Sequence, residues 1–139
     1  MRLFLDSSAL AKRYVREAGT DRVVALCAEA DDVIVSIIAL PEVVSTLNRL
    51  RREGRLSDSE YATMKHDVVA DLAEATTIEL TASIVGEALT CLERSRLRAS
   101  DALHIASALE ADPGLFLTGD RRQREGATEA GLKVEGVGI

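Results

Sequence analysis

The chain has no tryptophan, and only two phenylalanines and two tyrosines among its 139 residues. With aromatics at 3%, Ala, Leu, Val and Ile must fill most of the interior, a palette that suits an α/β core. The aromatic array on which single-strand binding proteins stack bases is missing, and Tyr14 and Tyr61 read as packing residues. Cys27 and Cys91 are far apart, each within a helical pattern and without a neighbouring thiol or histidine. Two small buried hydrophobes are expected there, not a disulfide or a zinc site. No stretch reaches the roughly 18 consecutive apolar residues of a membrane helix. Asp6 interrupts the first apolar run and Lys12, Arg13, Arg16 and Glu17 follow closely, a pattern unlike a cleavable secretion signal. The expectation is a cytoplasmic protein without membrane contact. The net charge of −6 argues against a broad, nonspecific nucleic-acid surface, yet three local basic groups stand out: Arg49, Arg51, Arg52 and Arg55; Arg94, Arg96 and Arg98; and Arg121, Arg122 and Arg124.

The length fits one compact domain over residues 1–139, and an apolar content of 47% fits a globular interior. Arg2 to Leu5 reads as a strand, with Ser7 or Ser8 available to cap a short helix through Ala9 to Val15. After a break near Gly19, a helix is expected from Asp21 to Ala30, then a strand from Val33 to Ile38. Val43, Leu47 and Leu50 recur at helical spacing between Glu42 and Arg52, behind Pro41 and ahead of a stop at Gly54. Ser57 and Glu60 have capping-box spacing for a helix to about Leu72. A strand from Thr76 to Leu80, a helix capped by Thr81 to Leu92, and a helix from Asp101 to Leu109 stopped by Pro113-Gly114 follow. Leu115 to Thr118 is a buried strand, Asp120 opens a helix to Ala130, and Leu132 to Val134 is an edge strand. This alternation implies a mainly parallel sheet covered by helices on both faces, the α/β/α class.

Ligand sites in such sheets collect beyond the C-terminal strand ends. Asp6 and Asp120 lie at such ends, while Glu42 and Asp101 open helices that can point to the same crevice. Four close carboxylates without a cation would repel one another and raise at least one pKa. Mg²⁺ or Mn²⁺ relieves that repulsion, since hard cations favour carboxylate and water oxygens. One or two such ions could activate water for in-line attack on a phosphodiester, with Asp6, Glu42 and Asp101 as principal ligands and Asp120 completing the site. Taken singly, each acid has an ordinary explanation as a strand terminator or helix cap.

Ser7, Ser8 and Thr118 are candidates to cap a helix or to orient a carboxylate, water or phosphate. Arg98, Arg121 and Arg122 flank two of the acids and are candidate RNA contacts. His104 lies three positions after Asp101, where a structural hydrogen bond is the favoured role over proton transfer. Two other functions compete with nuclease activity: a catalytically inactive RNA- or protein-binding domain, and a metal-dependent phosphomonoesterase. The haloacid-dehalogenase-like version of the latter is disfavoured because Asp6-Ser7-Ser8 lacks a second aspartate two residues on.

The chain resembles the PIN-domain nucleases, and more narrowly the VapC-type toxins of type II toxin–antitoxin pairs. The resemblance is carried in order by Leu3-Phe4-Leu5-Asp6-Ser7-Ser8-Ala9-Leu10, Pro41-Glu42, Ser100-Asp101-Ala102-Leu103-His104-Ile105-Ala106 and Phe116-Leu117-Thr118-Gly119-Asp120-Arg121. It implies a three-layer PIN-like fold, a Mg²⁺- or Mn²⁺-dependent endoribonuclease, and a site using acids that match Asp6, Glu42, Asp101 and Asp120. Ser8 retains the hydroxyl that the family often has at its position. The resemblance further implies an RNA substrate, a cognate antitoxin that blocks the acidic cleft, and a homodimer. For the dimer, the helices around Val43-Leu47-Leu50 and the segment from Tyr61 to Leu72 are the candidate surfaces, the alternative being that their apolar residues all face the monomer core.

Overall fold

The computed structural model describes residues 1–139 and contains twelve elements. In chain order these are β1 (Arg2–Leu5), α1 (Ser7–Ala11), α2 (Thr20–Glu29), β2 (Asp32–Ser36), α3 (Ala39–Arg52), α4 (Asp58–Glu74), β3 (Thr76–Ile78), α5 (Ala82–Arg94), α6 (Ala99–Ala111), β4 (Leu115–Thr118), α7 (Arg121–Glu129) and β5 (Val134–Gly136). Every strand pairing is parallel, and the sheet order is β3-β2-β1-β4-β5. The chain winds outward from β1 to β3, then returns to lay β4 against the other side of β1. Winding direction therefore reverses between β1 and β4, which opens a crevice beyond their C-terminal ends.

Alternation along the strands builds two cores. Leu3, Leu5, Val35, Leu115 and Leu117 pack against α1–α4 through residues such as Leu10, Val23, Val43, Leu47 and Val68. Phe4, Ile34 and Phe116 point the other way, onto Ile84, Ala88, Ala102, Ile105 and Ala127 of α5–α7. The two phenylalanines stack with centroids 5.3 Å apart and planes 8° from parallel. Sheet and flanking helix layers thus form the three-layer α/β/α arrangement expected from the sequence. No helix is long and apolar enough to cross a membrane.

Several boundaries differ from expectation for identifiable reasons. The first helix spans Ser7–Ala11 instead of Ala9 to Val15, because Asp6, and neither serine, is its N-cap and accepts the Ala9 amide at 2.9 Å. Strand β2 ends at Ser36, two residues early, where the Ser36 hydroxyl accepts the Ile38 amide and the chain turns into α3. Helices α3 and α6 start three and two residues before Glu42 and Asp101, which puts both acids inside a first turn. The last strand lies at Val134–Gly136 because the Leu132 amide is used to close α7 onto Ala127. The capping box forms as expected: the Ser57 hydroxyl accepts the Glu60 amide at 3.0 Å and Glu60 accepts the Ser57 amide at 2.9 Å. Of the two roles open to Val43, Leu47 and Leu50, the structure shows the second: these side chains, with Val68 and Leu72, are buried in the chain's own core.

Candidate active site

The parallel register pairs Phe4 with Phe116 and Leu5 with Leu117, so the next residues, Asp6 and Thr118, meet at the crevice. Asp6 is 3% exposed and every bond to its carboxylate is local to this junction. Its Oδ1 accepts the Ser8 hydroxyl at 2.7 Å and the Ala9 amide at 2.9 Å, and its Oδ2 accepts the Thr118 hydroxyl at 2.5 Å. Thr118 in turn accepts the Asp120 amide at 3.1 Å, and Ser8 accepts the Gly119 amide at 2.8 Å. Burial pushes the Asp6 carboxyl above the usual aspartate range, against the opposing pull of His104 and of the bonds from Thr118, Ser8 and Ala9.

Glu42, in the first turn of α3, belongs to a second cluster. Its Oε1 accepts the Ser7 hydroxyl at 2.7 Å and lies 2.6 Å from His104 Nε2, which is itself 3.0 Å from Ser7 Oγ. Burial acts to raise the Glu42 carboxyl, but the bonds from His104 and Ser7, the His104 charge and Ser100 outweigh it, so the group is held below the usual range. His104 is buried and its Nδ1 has no partner. Its Nε2 is the nitrogen that faces Glu42 Oε1, so the proton on Nε2 is the one the carboxylate accepts.

Asp101 and Asp120 form the third group. Asp101 Oδ2 accepts the Arg98 amide at 3.3 Å, and Asp120 caps α7 by accepting the Gln123 amide at 3.0 Å. The Arg98 guanidinium spans them, with Nε 3.6 Å from Asp101 Oδ2 and Nη2 3.8 Å from Asp120 Oδ2. Its side chain is 71% exposed, so the pairing is loose and contributes little.

All four acids line one cleft of about 790 Å³, together with Ser7, Ser8, Lys12, Arg49 and Arg98. The structure brings the carboxylates to a common cavity but does not draw three of them, or any three acidic, histidine or cysteine groups, into metal-holding geometry. Asp6 is tied to its hydroxyl neighbours, Glu42 leans on His104, and Arg98 lies between the other two. The donor chemistry still fits a hard divalent cation, because every candidate ligand atom is a carboxylate or hydroxyl oxygen. The loosely held Arg98 charge marks a place where positive charge is already accommodated. Neither cysteine lines this cleft. Arg121 and Arg122 lie outside it, along an adjoining groove.

Three further residues gain importance from the geometry. His104 fulfils the structural hydrogen bond expected of it and is also a wall of the cleft. Lys12 is 8% exposed, with Nζ 3.1 Å from Glu17 Oε1 and 2.9 Å from the Ala18 carbonyl. Gly119 makes room for it, since a Cβ there would stand 2.6 Å from Lys12 Cε. The spacing of His104 from Asp101 was a usable signal, whereas nothing local to Lys12 or Gly119 announces their contact 107 residues apart in sequence.

A five-stranded parallel sheet with an acid-lined crevice at its switch point is the architecture of a PIN domain, and the family comparison agrees. The PIN domain family model matches residues 3–128, and the chain belongs to this family. It is 36% identical over 134 residues to Ribonuclease VapC45 of Mycobacterium tuberculosis, a match that spans 95% of this chain and 93% of that protein. Among solved structures it resembles the sarcin–ricin-loop-cleaving toxin VapC20 of M. tuberculosis, with a TM-score of 0.70, 19% identity and coverage of 94% and 95% of the two chains. A toxin–antitoxin complex from Klebsiella pneumoniae is similar in fold, with a TM-score of 0.69, 15% identity and coverage of 96% and 95%.

Proposed function

We propose that the protein is a divalent-metal-dependent endoribonuclease that hydrolyses RNA phosphodiesters, acting as the toxin of a toxin–antitoxin pair. The observation that carries this reading is the gathering of Asp6, Glu42, Asp101 and Asp120, from four separate parts of the chain, around one cleft at the β1–β4 switch point. The full-length likeness to a ribonuclease of the VapC type supports it. In this reading those four acids hold Mg²⁺ or Mn²⁺, as one ion or two. Bound there, the cation would lower the pKa of water and offset charge on the attacked phosphate.

The chain's own groups have distinct tasks. Ser8 and Thr118 fix the Asp6 carboxylate from two sides, so its lone pairs face a defined direction. His104 and Ser7 hold Glu42 ionised near the cleft mouth. Arg98 is free to leave its two carboxylates and meet substrate phosphate, because exposed ion pairs of this length are weak. Water attack without help from the RNA 2′-hydroxyl leaves a 5′-phosphate and a 3′-hydroxyl.

The reading includes a small antitoxin that covers the acidic cleft, supported by the Klebsiella toxin–antitoxin complex of similar fold. It also includes a homodimer, which sedimentation of the isolated protein tests directly. The activity is tested by incubating defined RNAs with the protein and Mg²⁺ or Mn²⁺ and mapping the ends. Metal-dependent cuts bearing 5′-phosphates support the reading; binding without cleavage across varied RNAs and both metals favours an inactive PIN-like domain, and release of terminal phosphate alone favours a monoesterase.

A further inference from the structure

A second groove of about 860 Å³ adjoins the carboxylate cleft and shares Arg98, Gly119 and Asp120 with it. Its wall carries Arg96, Arg98, Arg121 and Arg122, all exposed. Of the fourteen arginines, Arg2, Arg13, Arg16, Arg22, Arg49, Arg55 and Arg98 pair with a carboxylate. Arg96, Arg121 and Arg122 make no ion pair, as is true also of Arg51, Arg52, Arg94 and Arg124, but these three gather on one groove with Arg98, and Glu125 in the same groove leaves them unpaired.

Their positions also run against local helix electrostatics. Arg121 and Arg122 occupy the first turn of α7, which has no acidic residue, and Arg98 is the N-cap of α6 with no capping hydrogen bond from its side chain. Helix N-termini carry partial positive charge and favour anions, so three cations at two such ends repel the backbone dipoles they sit on. Asp120 at the N-cap of α7 and Asp101 in the first turn of α6 answer those dipoles and engage Arg98, which leaves Arg96, Arg121 and Arg122 as the charges without a partner in the groove. A polyanion lying in the groove would meet four guanidinium groups at once.

We propose that this groove holds the single-stranded RNA backbone flanking the scissile phosphate, with Arg121 and Arg122 as phosphate contacts and Arg96 and Arg98 leading to the carboxylates. The inference rests on the nuclease reading and adds the path by which substrate reaches the acids. Leu97 supplies apolar surface in the groove against sugars or bases, and no aromatic side chain lines it. Contact is therefore to the backbone and tolerant of sequence.

The test is fluorescence anisotropy of a labelled 12-nucleotide single-stranded RNA in EDTA, titrated with salt, for wild type and the Arg121→Gln/Arg122→Gln variant. Log affinity should fall with log salt less steeply by about 0.7 for each phosphate contact removed, with severalfold weaker binding at low salt. An Arg52→Gln/Arg94→Gln variant, equal in net charge but altered outside the groove, should keep the wild-type slope. A wild-type slope in the groove variant would overturn the proposal. So would a poly-glutamate peptide that binds wild type more tightly than the RNA and loses affinity in the same variant, since the groove would then serve a protein partner. Metal added to the same wild-type mixture separates the two claims. Cleavage with groove-independent binding refutes the groove alone, and groove-dependent binding without cleavage under either metal refutes the nuclease reading.

Discussion

The Thr118 hydroxyl donates to Asp6 Oδ2 at 2.5 Å, tying together the ends of the two strands between which the sheet changes winding direction. The same oxygen accepts the Asp120 amide, so one fully buried side chain fixes one acid directly and the backbone of another. Thr118→Val keeps the shape but leaves a buried carboxylate oxygen and an amide without this partner. Such losses cost about 1–3 kcal/mol, which denaturant unfolding would register, and Thr118→Ser should recover most of it. A Val variant as stable as wild type would show that the hydroxyl bears no such role.

Asp6→Asn should stabilise the metal-free protein at neutral pH. Its folded pKa is raised by burial, so the contribution of this group to stability is full where the acid is protonated and is lost as pH rises through the folded value. Asn stays neutral, keeps an oxygen for Ser8 and Ala9, and can donate to Thr118 Oγ1. Thermal unfolding in EDTA should therefore give a higher midpoint for the variant at pH 7, with the gap narrowing as pH falls. A lower midpoint at pH 7 would contradict the burial argument.

Glu42 has the opposite sign. Held below the usual range, it stabilises the fold while ionised, and that contribution disappears as pH falls through its folded pKa. His104→Phe removes the buried donor and should return the carboxyl towards ordinary glutamate behaviour. Carbon-detected NMR titration of Glu42 would follow this as an upward move in its midpoint, and an unmoved midpoint would remove His104 from its positioning role.

The strands around the site were legible because their signals are local. Arg2–Leu5, followed by Asp6, and Leu115–Thr118 are short, mainly apolar runs bounded by a polar residue at the C-terminal end, and both fell where the sequence placed them. From them follow a parallel sheet and the expectation that Asp6 and Asp120 share an edge. Side-chain pairing across that edge was less accessible. Whether Asp6 or Ser7 caps α1 depends on which oxygen reaches Ala9, and the Lys12–Gly119 contact exists only once β1 and β4 are neighbours. The Val43-Leu47-Leu50 stripe shows a related limit: helical spacing reveals an apolar face but not whether it meets the chain's own core or a partner.

Glycine positions near the cleft offer a graded test. At Gly138, φ is +73° and a Cβ would strike the Ala18 carbonyl, so Gly138→Ala forces backbone to move and should cost more than about 1 kcal/mol. At Gly119 the obstacle is the flexible end of Lys12, which can swing aside at the expense of its bonds to Glu17 and Ala18. Gly119→Ala should therefore be the milder change in chemical denaturation. The reverse order would contradict the placement of Lys12.

The most direct measurement of the central claim is cleavage of a defined single-stranded RNA by purified wild type, Asp6→Asn and Asp101→Asn proteins, each shown to be folded, with Mg²⁺, with Mn²⁺ and with EDTA. The account predicts cuts with 5′-phosphate ends only for wild type with a divalent ion, and loss of activity of about a hundredfold or more in either variant, the scale on which removal of an electrostatic catalytic group acts. Undiminished cleavage by the folded variants, or wild-type cleavage that persists in EDTA, would contradict it.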